Sequence, residues 1–166
     1  MIPIVDRQDV VIGHKERADL TPQDICRVTG LWILNEKGEI LCARRAYTKK
    51  FDAGRLGNSA AGTVEEGETY ESNIIKEAKE ELGIDIVAPH TGKKEYIQAQ
   101  HKFFVQWFWL VIPSETKFVI EEDEVVEVKW LSRDALLEEY QQNPHEFLEI
   151  MEHALPAIPT VEEMSK

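Results

Sequence analysis

A chain of 166 residues with 43% hydrophobic and 30% charged residues has the size and composition of one globular domain with its own core. Its formal net charge of −12 argues against wrapping a nucleic-acid polymer, which needs a basic face, and against docking on an anionic membrane. A small polyanion is still a suitable ligand where local cations or metal ions offset the acid. Cys26 and Cys42 lack metal-ligand spacing and read as buried apolar thiols, not as a disulfide framework. The opening MIPIVDRQDV has no long apolar run, and no window reaches the length of a membrane span, so the expectation is a cytoplasmic protein with no membrane partner.

In chain order, IPIVDRQDVVIG reads as a hairpin, two apolar runs around Asp6, Arg7, Gln8 and Asp9. Lys15 to Asp24 is polar and holds a short helix or a loop. Cys26 to Leu34 is β-branched and aromatic, and a turn at Asn35-Glu36-Lys37-Gly38 returns the chain into Glu39 to Ala43, which predicts a second hairpin. Ala46 to Ser59 lacks periodicity, carries Gly54 and Gly57, and reads as a loop. Glu68 to Leu82 is predicted helical, with Gly83 as the left-handed residue that stops it, and Ile84 to Val87 begins a strand. Glu95 to Ile112 contains one long strand or two, and Lys117 to Ile120 and Val125 to Leu131 read as shorter ones. Ser132 caps a helix to about Gln142, and Asn143-Pro144 opens another, with Asn143 as cap and Glu146 as its partner. The tail after Pro156 is expected to be loosely held. Strands outnumber helices, and helices lie between and after them, which points to an α+β chain with a mixed sheet covered by helices.

The segment Gly62 to Ile84, GTVEEGETYESNIIKEAKEELGI, carries the chemistry. At helical spacing Glu77, Glu80 and Glu81 fall within about a 100° arc, and Ile74, Ile75, Ala78 and Leu82 occupy the neighbouring arc that faces the sheet. Three ionised carboxylates so close repel one another, and a divalent cation turns that repulsion into binding. Mg²⁺ prefers oxygen ligands, keeps several waters and bridges to substrate phosphates, which suits a short carboxylate cluster. An isolated run of acids is usually a solvated helix face. The joint spacing of Gly62, Glu68, Glu77, Glu80, Glu81 and Gly83, however, arises by chance on the order of once per million windows.

This segment resembles the Nudix box, G-x5-E-x7-R-E-U-x-E-E-x-G-U, where U is a bulky apolar residue. Gly62, Glu68, Glu77, Glu80, Glu81, Gly83 and Ile84 match directly, and Ala78 is a small version of the first U. Lys76 stands where the family has an arginine that orients the glutamates. Lysine keeps that charge and loses the planar fork. The flanks LCARRA and EVVEVKWLSRDAL extend the likeness. The resemblance implies the Nudix fold, an α/β/α sandwich with a mixed β-sheet, as one domain over residues 1–166. It implies hydrolysis of a nucleoside diphosphate linked to another group X, with Mg²⁺, or Mn²⁺ in its place, as cofactor. Glu77, Glu80 and Glu81 then serve as metal ligands and catalytic residues, the Ala61 carbonyl as a further ligand, and Glu68 as a support. The general base is left open between a box glutamate and one of Glu121, Glu122, Asp123 and Glu124. A homodimer follows from family habit.

Arg44, Arg45, Lys49, Lys50 and Arg55 are five of the chain's 19 basic residues, and their loop runs straight into the box. Arg44, Arg45, Lys49 and Arg55 are the candidates for holding substrate phosphates; a surface loop balancing the acid helix fits them equally well. Trp32, Tyr47 and Phe51 serve either as stacking surfaces for a base or as core. The N-terminal VDRQDVVIG is similar to a branch of the family that resembles isopentenyl diphosphate isomerase, which makes an isomerase the second hypothesis. That chemistry uses a cysteine in a Cys-Ser-His-Pro-like segment, whereas this chain has GRLGNSAAG there, so the isomerase ranks below hydrolysis. A third hypothesis is a non-catalytic module that senses a nucleotide, against which the intact glutamates stand.

Overall fold

The computed structural model describes residues 1–166. A hairpin of β1 (Ile2–Val5) and β2 (Val11–Lys15) precedes the main sheet. The sheet is built from β3 (Ile25–Asn35), β4 (Ile40–Arg45), β5 (Leu56–Gly57), β6 (Ala60–Thr63), β7 (His90–Gln98), β8 (Lys102–Ile112) and β9 (Val125–Leu131). Its order is β5-β4-β3-β8-β7, with β6 also on β3 and β9 also on β4. β3 and β8 run parallel while the other pairs are antiparallel, so the sheet is mixed. The helices are α1 (Tyr70–Leu82), α2 (Arg133–Gln142), α3 (Met151–Ala154) and α4 (Val161–Met164). No helix is long and apolar enough to cross a membrane.

Alternation along β3 and β4 assigns the two layers. Trp32, Leu34, Ile40 and Cys42 face Leu136, Phe147, Met151 and Ile158 on one side. Leu31, Ile33 and Leu41 face Ile74, Ala78 and Leu82 of α1 on the other. Successive strand residues point to opposite faces, so one strand feeds both cores, and the result is the α/β/α sandwich expected from the sequence.

A split in the sheet positions the site. β3 and β4 pair only at Ile33 with Leu41 and Leu34 with Ile40, then diverge. β6 takes over the freed edge of β3, and β5 that of β4. Ser59 sits in the crotch, fully buried, accepting the Ile33 N–H at 2.8 Å and donating to the Leu41 carbonyl at 2.7 Å. Its hydroxyl satisfies the backbone groups that the divergence leaves unpaired. Because β6 enters this gap, Ala61 and Gly62 lie directly against α1.

Several expectations are corrected. The helix begins at Tyr70, not Glu68, because Thr69 caps it by accepting the Ser72 N–H. Ile84 to Val87 forms no strand: Ile84 and Ile86 are buried in strand-like alternation, but no neighbouring backbone pairs with them. Lys117 to Ile120 likewise joins no sheet. The Val119 N–H bonds the Leu82 carbonyl at 2.9 Å, and the Glu121 N–H bonds the Glu81 carbonyl at 3.2 Å, so this segment satisfies the open end of α1. Asn143 makes no side-chain cap, and Pro144 to Glu146 is a single 3-10 turn. The chain there is pulled onto β5, where the Leu148 N–H donates to the Leu56 carbonyl. The first part of the tail is docked, with Ile158 buried and Arg133 donating to the Pro159 carbonyl at 2.7 Å, while Thr160 to Glu163 are exposed. The loop from Ala46 to Ser59 contains the short β5, and Glu95 to Ile112 lies in two strands, β7 and β8.

Candidate functional site

The site forms where α1 crosses β6. Gly83 at φ 69° ends α1 in the left-handed conformation that glycine adopts without a steric penalty, and a Cβ there would also strike the Val119 carbonyl. Gly62 is required for a different reason: a Cβ at this position would overlap the Glu77 side chain. The missing methyl lets the Glu77 carboxylate lie on the strand backbone. One helical turn later, Glu81 Oε2 accepts the Ala61 N–H at 3.2 Å. In an extended strand the N–H and C=O of one residue face the same neighbour, so the Ala61 carbonyl is turned toward the same carboxylates.

These two acids are poorly compensated. Burial raises Glu77 to about 7, and the charges of Glu80, Glu68 and Glu124 add to it against the pull of Lys76. Burial raises Glu81 to about 8, with Glu77 and Glu124 adding to it against the Ala61 N–H and Arg45. Glu80 is exposed and stands at the rim. No three acidic, histidine or cysteine side chains close into a ready-made cage. Two half-buried carboxylates and a carbonyl nevertheless fit Mg²⁺, which takes one or two carboxylates and leaves its remaining positions to water and phosphate.

Lys76 lies beside Glu68, with its Nζ 3.5 Å from Glu65 and 3.9 Å from Glu77. The charge expected of the family's arginine is therefore present. Burial alone would raise the Glu68 carboxyl, but Lys76, the Glu65 N–H and Asn73 together hold it below the usual carboxylate range. Asn73 and Thr29, both fully buried, belong to this network and were not anticipated. The available signal was an asparagine one helical turn before Glu77, on the flank of the apolar stripe.

The basic residues divide. Arg45 is close enough to Glu81 to lower its pKa and donates to the Phe51 carbonyl at 2.7 Å. Lys49 pairs with Glu124 at 2.6 Å, and Glu124 is the member of the acidic run whose charge acts on both Glu77 and Glu81. Arg44 faces the opposite layer, held by Glu127 and the Gly54 carbonyl. Arg55 pairs with Asp52. Among the aromatics, Trp32 is core, while Tyr47 and Phe51 are exposed.

The NUDIX domain model matches residues 25–151. The chain belongs to the Nudix family. A protein of Nostoc sp. named as an uncharacterized Nudix hydrolase is 31% identical over 142 residues, covering 83% of each chain. The Salmonella typhi Nudix hydrolase YfcD is 33% identical over 137 residues, covering 81% of this chain and 73% of its own. A crystal structure of a Deinococcus radiodurans protein superposes with a TM-score of 0.77 at 24% identity, over 95% of this chain and 99% of that one, and shares the fold. The chain is thus a Nudix hydrolase, an enzyme of a family that acts on nucleoside diphosphate-linked compounds.

Proposed function

We propose that the protein hydrolyses a diphosphate linkage in a nucleoside diphosphate-X substrate with Mg²⁺ held by Glu77, Glu81 and the Ala61 carbonyl, and Glu80 contributing from the rim. The observation that carries this reading is the pair of half-buried carboxylates one helical turn apart against β6, with Glu81 on the Ala61 N–H. Burial pushes them up to about 7 and about 8, a crowding of acids that a divalent cation relieves. Mg²⁺ supplies charge neutralisation of the diphosphate and acidification of the attacking water. The protein does the rest. Arg45 and Lys49 meet the phosphate oxygens, and Arg44 and Arg55 hold the loop that carries them. Glu124 is the general base: Lys49 orients it, and it takes the proton of the attacking water. The water oxygen bonds to phosphorus, the bridging P–O bond breaks, and a nucleoside monophosphate and a phosphorylated X leave. Mn²⁺ substitutes for Mg²⁺ because both accept an oxygen donor set.

The isomerase reading lacks its proton-transfer residue. Cys42 is fully buried in the layer opposite α1, with its thiol pushed up to about 12 by burial. In the segment before the box, Asn58 and Ser59 are bound to backbone carbonyls. A Nudix domain of Shewanella oneidensis NrtR was crystallised with ADP ribose, and it superposes with a TM-score of 0.64 at 13% identity. ADP ribose therefore belongs in the first substrate panel. With Mg²⁺, nucleoside monophosphate is expected from at least one nucleoside diphosphate derivative and is lost in Glu81→Gln. A panel in which nothing exceeds that variant contradicts the hydrolase reading, and turnover of isopentenyl diphosphate would replace it.

A further inference from the structure

Glu68 is held on its two oxygens by two different residues of α1. Lys76 pairs with Oε1. Asn73 Nδ2 donates to Oε2 at 2.9 Å, and the Glu65 N–H donates to the same oxygen at 2.9 Å. A guanidinium spans both oxygens of a carboxylate, whereas an ammonium is a point charge that holds one. Asn73 is fully buried, and a buried amide is costly unless its hydrogen-bonding groups are used. They are used here: Oδ1 accepts the Thr29 hydroxyl from β3, and Nδ2 also donates to the Thr63 carbonyl of β6 at 3.1 Å and lies 3.5 Å from Glu77 Oε1. One side chain thus joins β3, β6 and both acids.

We propose that Asn73 is a positioning residue of the cation site and that it divides with Lys76 the task of a single guanidinium. Lys76 supplies the charge and Asn73 the direction. The proposal rests on the reading of Glu77 as a cation ligand. Asn73 does not itself ligate, because the atom it turns toward Glu77 is a donor. It acts by fixing Glu68 beside Glu77 and by tying β6, which carries Ala61 and Gly62, to α1. Removing its amide leaves Glu68 Oε2 to the Glu65 N–H alone and frees the Thr63 carbonyl, so both walls of the site loosen.

Mn²⁺ alone, titrated into the protein and followed by paramagnetic resonance, tests this without any substrate. Thermal midpoints in chelator establish that each variant is folded. Asn73→Ala is expected to bind Mn²⁺ about tenfold more weakly, the low end of what removal of an outer-shell partner costs. Asn73→Asp keeps the shape and the acceptor for Thr29 but sets a like charge against Glu68, so it weakens binding at least as much. Adding Lys76→Arg to Asn73→Ala restores affinity to within about threefold of native, since five guanidinium N–H donors reach both acids. An Asn73→Ala protein that binds within about twofold of native overturns the proposal, as does a loss that the arginine fails to repair. A native protein that binds no Mn²⁺ removes the cation reading itself and this proposal with it, an outcome distinct from the other two.

Discussion

Asp9 and Glu81 are both carboxylates turned inward, in opposite electrostatic settings. Asp9 adopts φ 62° at the tip of the first hairpin and meets Arg27 at 2.7 Å, Lys94 at 2.7 Å and the Tyr70 hydroxyl at 2.9 Å. Burial acts to raise its pKa, but the bonds from Lys94, Arg27 and Tyr70 outweigh it and hold Asp9 below the usual carboxylate range. Burial and the negative charge of Asp9 beside it push the Tyr70 hydroxyl well above its ordinary value, so it stays a donor. Glu81 receives one backbone N–H and faces a second acid. The Asp9 knot is complete within the protein and ties the N-terminal hairpin to the start of α1. The Glu77–Glu81 pair is incomplete, and the shortfall of positive charge is what the proposed cation would fill.

Substitutions on the two sides should therefore part company. Glu81→Gln keeps the acceptor for the Ala61 N–H and removes one charge, so Mg²⁺-dependent kcat/KM is expected to fall about 10³-fold in a steady-state assay, with the fold intact. Glu124→Gln is expected to lower kcat about 10²-fold with little change in Mg²⁺ affinity, the signature of a lost base and not of a lost ligand. Asp9→Ala strands Arg27 and Tyr70 and is expected to lower unfolding free energy by about 2–3 kcal/mol in urea titrations, while turnover at permissive temperature survives. Gly62→Ala pushes Glu77 off β6 and is expected to raise the half-saturating Mg²⁺ concentration about tenfold. If Asp9→Ala abolished turnover without loss of stability, the two carboxylate groups would have been assigned the wrong way round.

The box was legible because its constraints are local. Helical spacing puts Glu77 and Glu81 on one face, and glycine is the residue that a left-handed cap or a close carboxylate demands, so Gly83 and Gly62 announce the geometry around them. The hairpin of β3 and β4 was legible from its turn. Ile84 to Val87 and Lys117 to Ile120 misled because alternation reports which side chains are buried and says nothing about whether another strand is there to pair. Neither β6 nor the Ser59 crotch could be read, since both depend on where β3 and β4 diverge. The basic loop showed as one cluster in sequence, yet Arg44 and Arg45 are consecutive strand residues and must face opposite layers, so only Arg45 reaches the acids. Asn73 was hidden for the same reason: its partners Thr29, Thr63 and Glu68 come together only in the fold.

The uncompensated pair has a consequence for stability. Glu77 and Glu81 titrate near 7 and 8 in the folded protein, against an ordinary value of 4.5. The folded state then binds more protons than the unfolded state between those values, so the stability of the metal-free protein falls as pH rises from about 4.5 to 8. Thermal midpoints of native protein and Glu81→Gln at pH 8, each in chelator and in excess Mg²⁺, test this directly. Glu81→Gln should be the more stable protein in chelator, and Mg²⁺ should raise the native midpoint while leaving that of the variant nearly unmoved. A native protein at least as stable as Glu81→Gln in chelator, with both midpoints shifting equally in Mg²⁺, would show that the pair is neither strained nor the place where the cation binds.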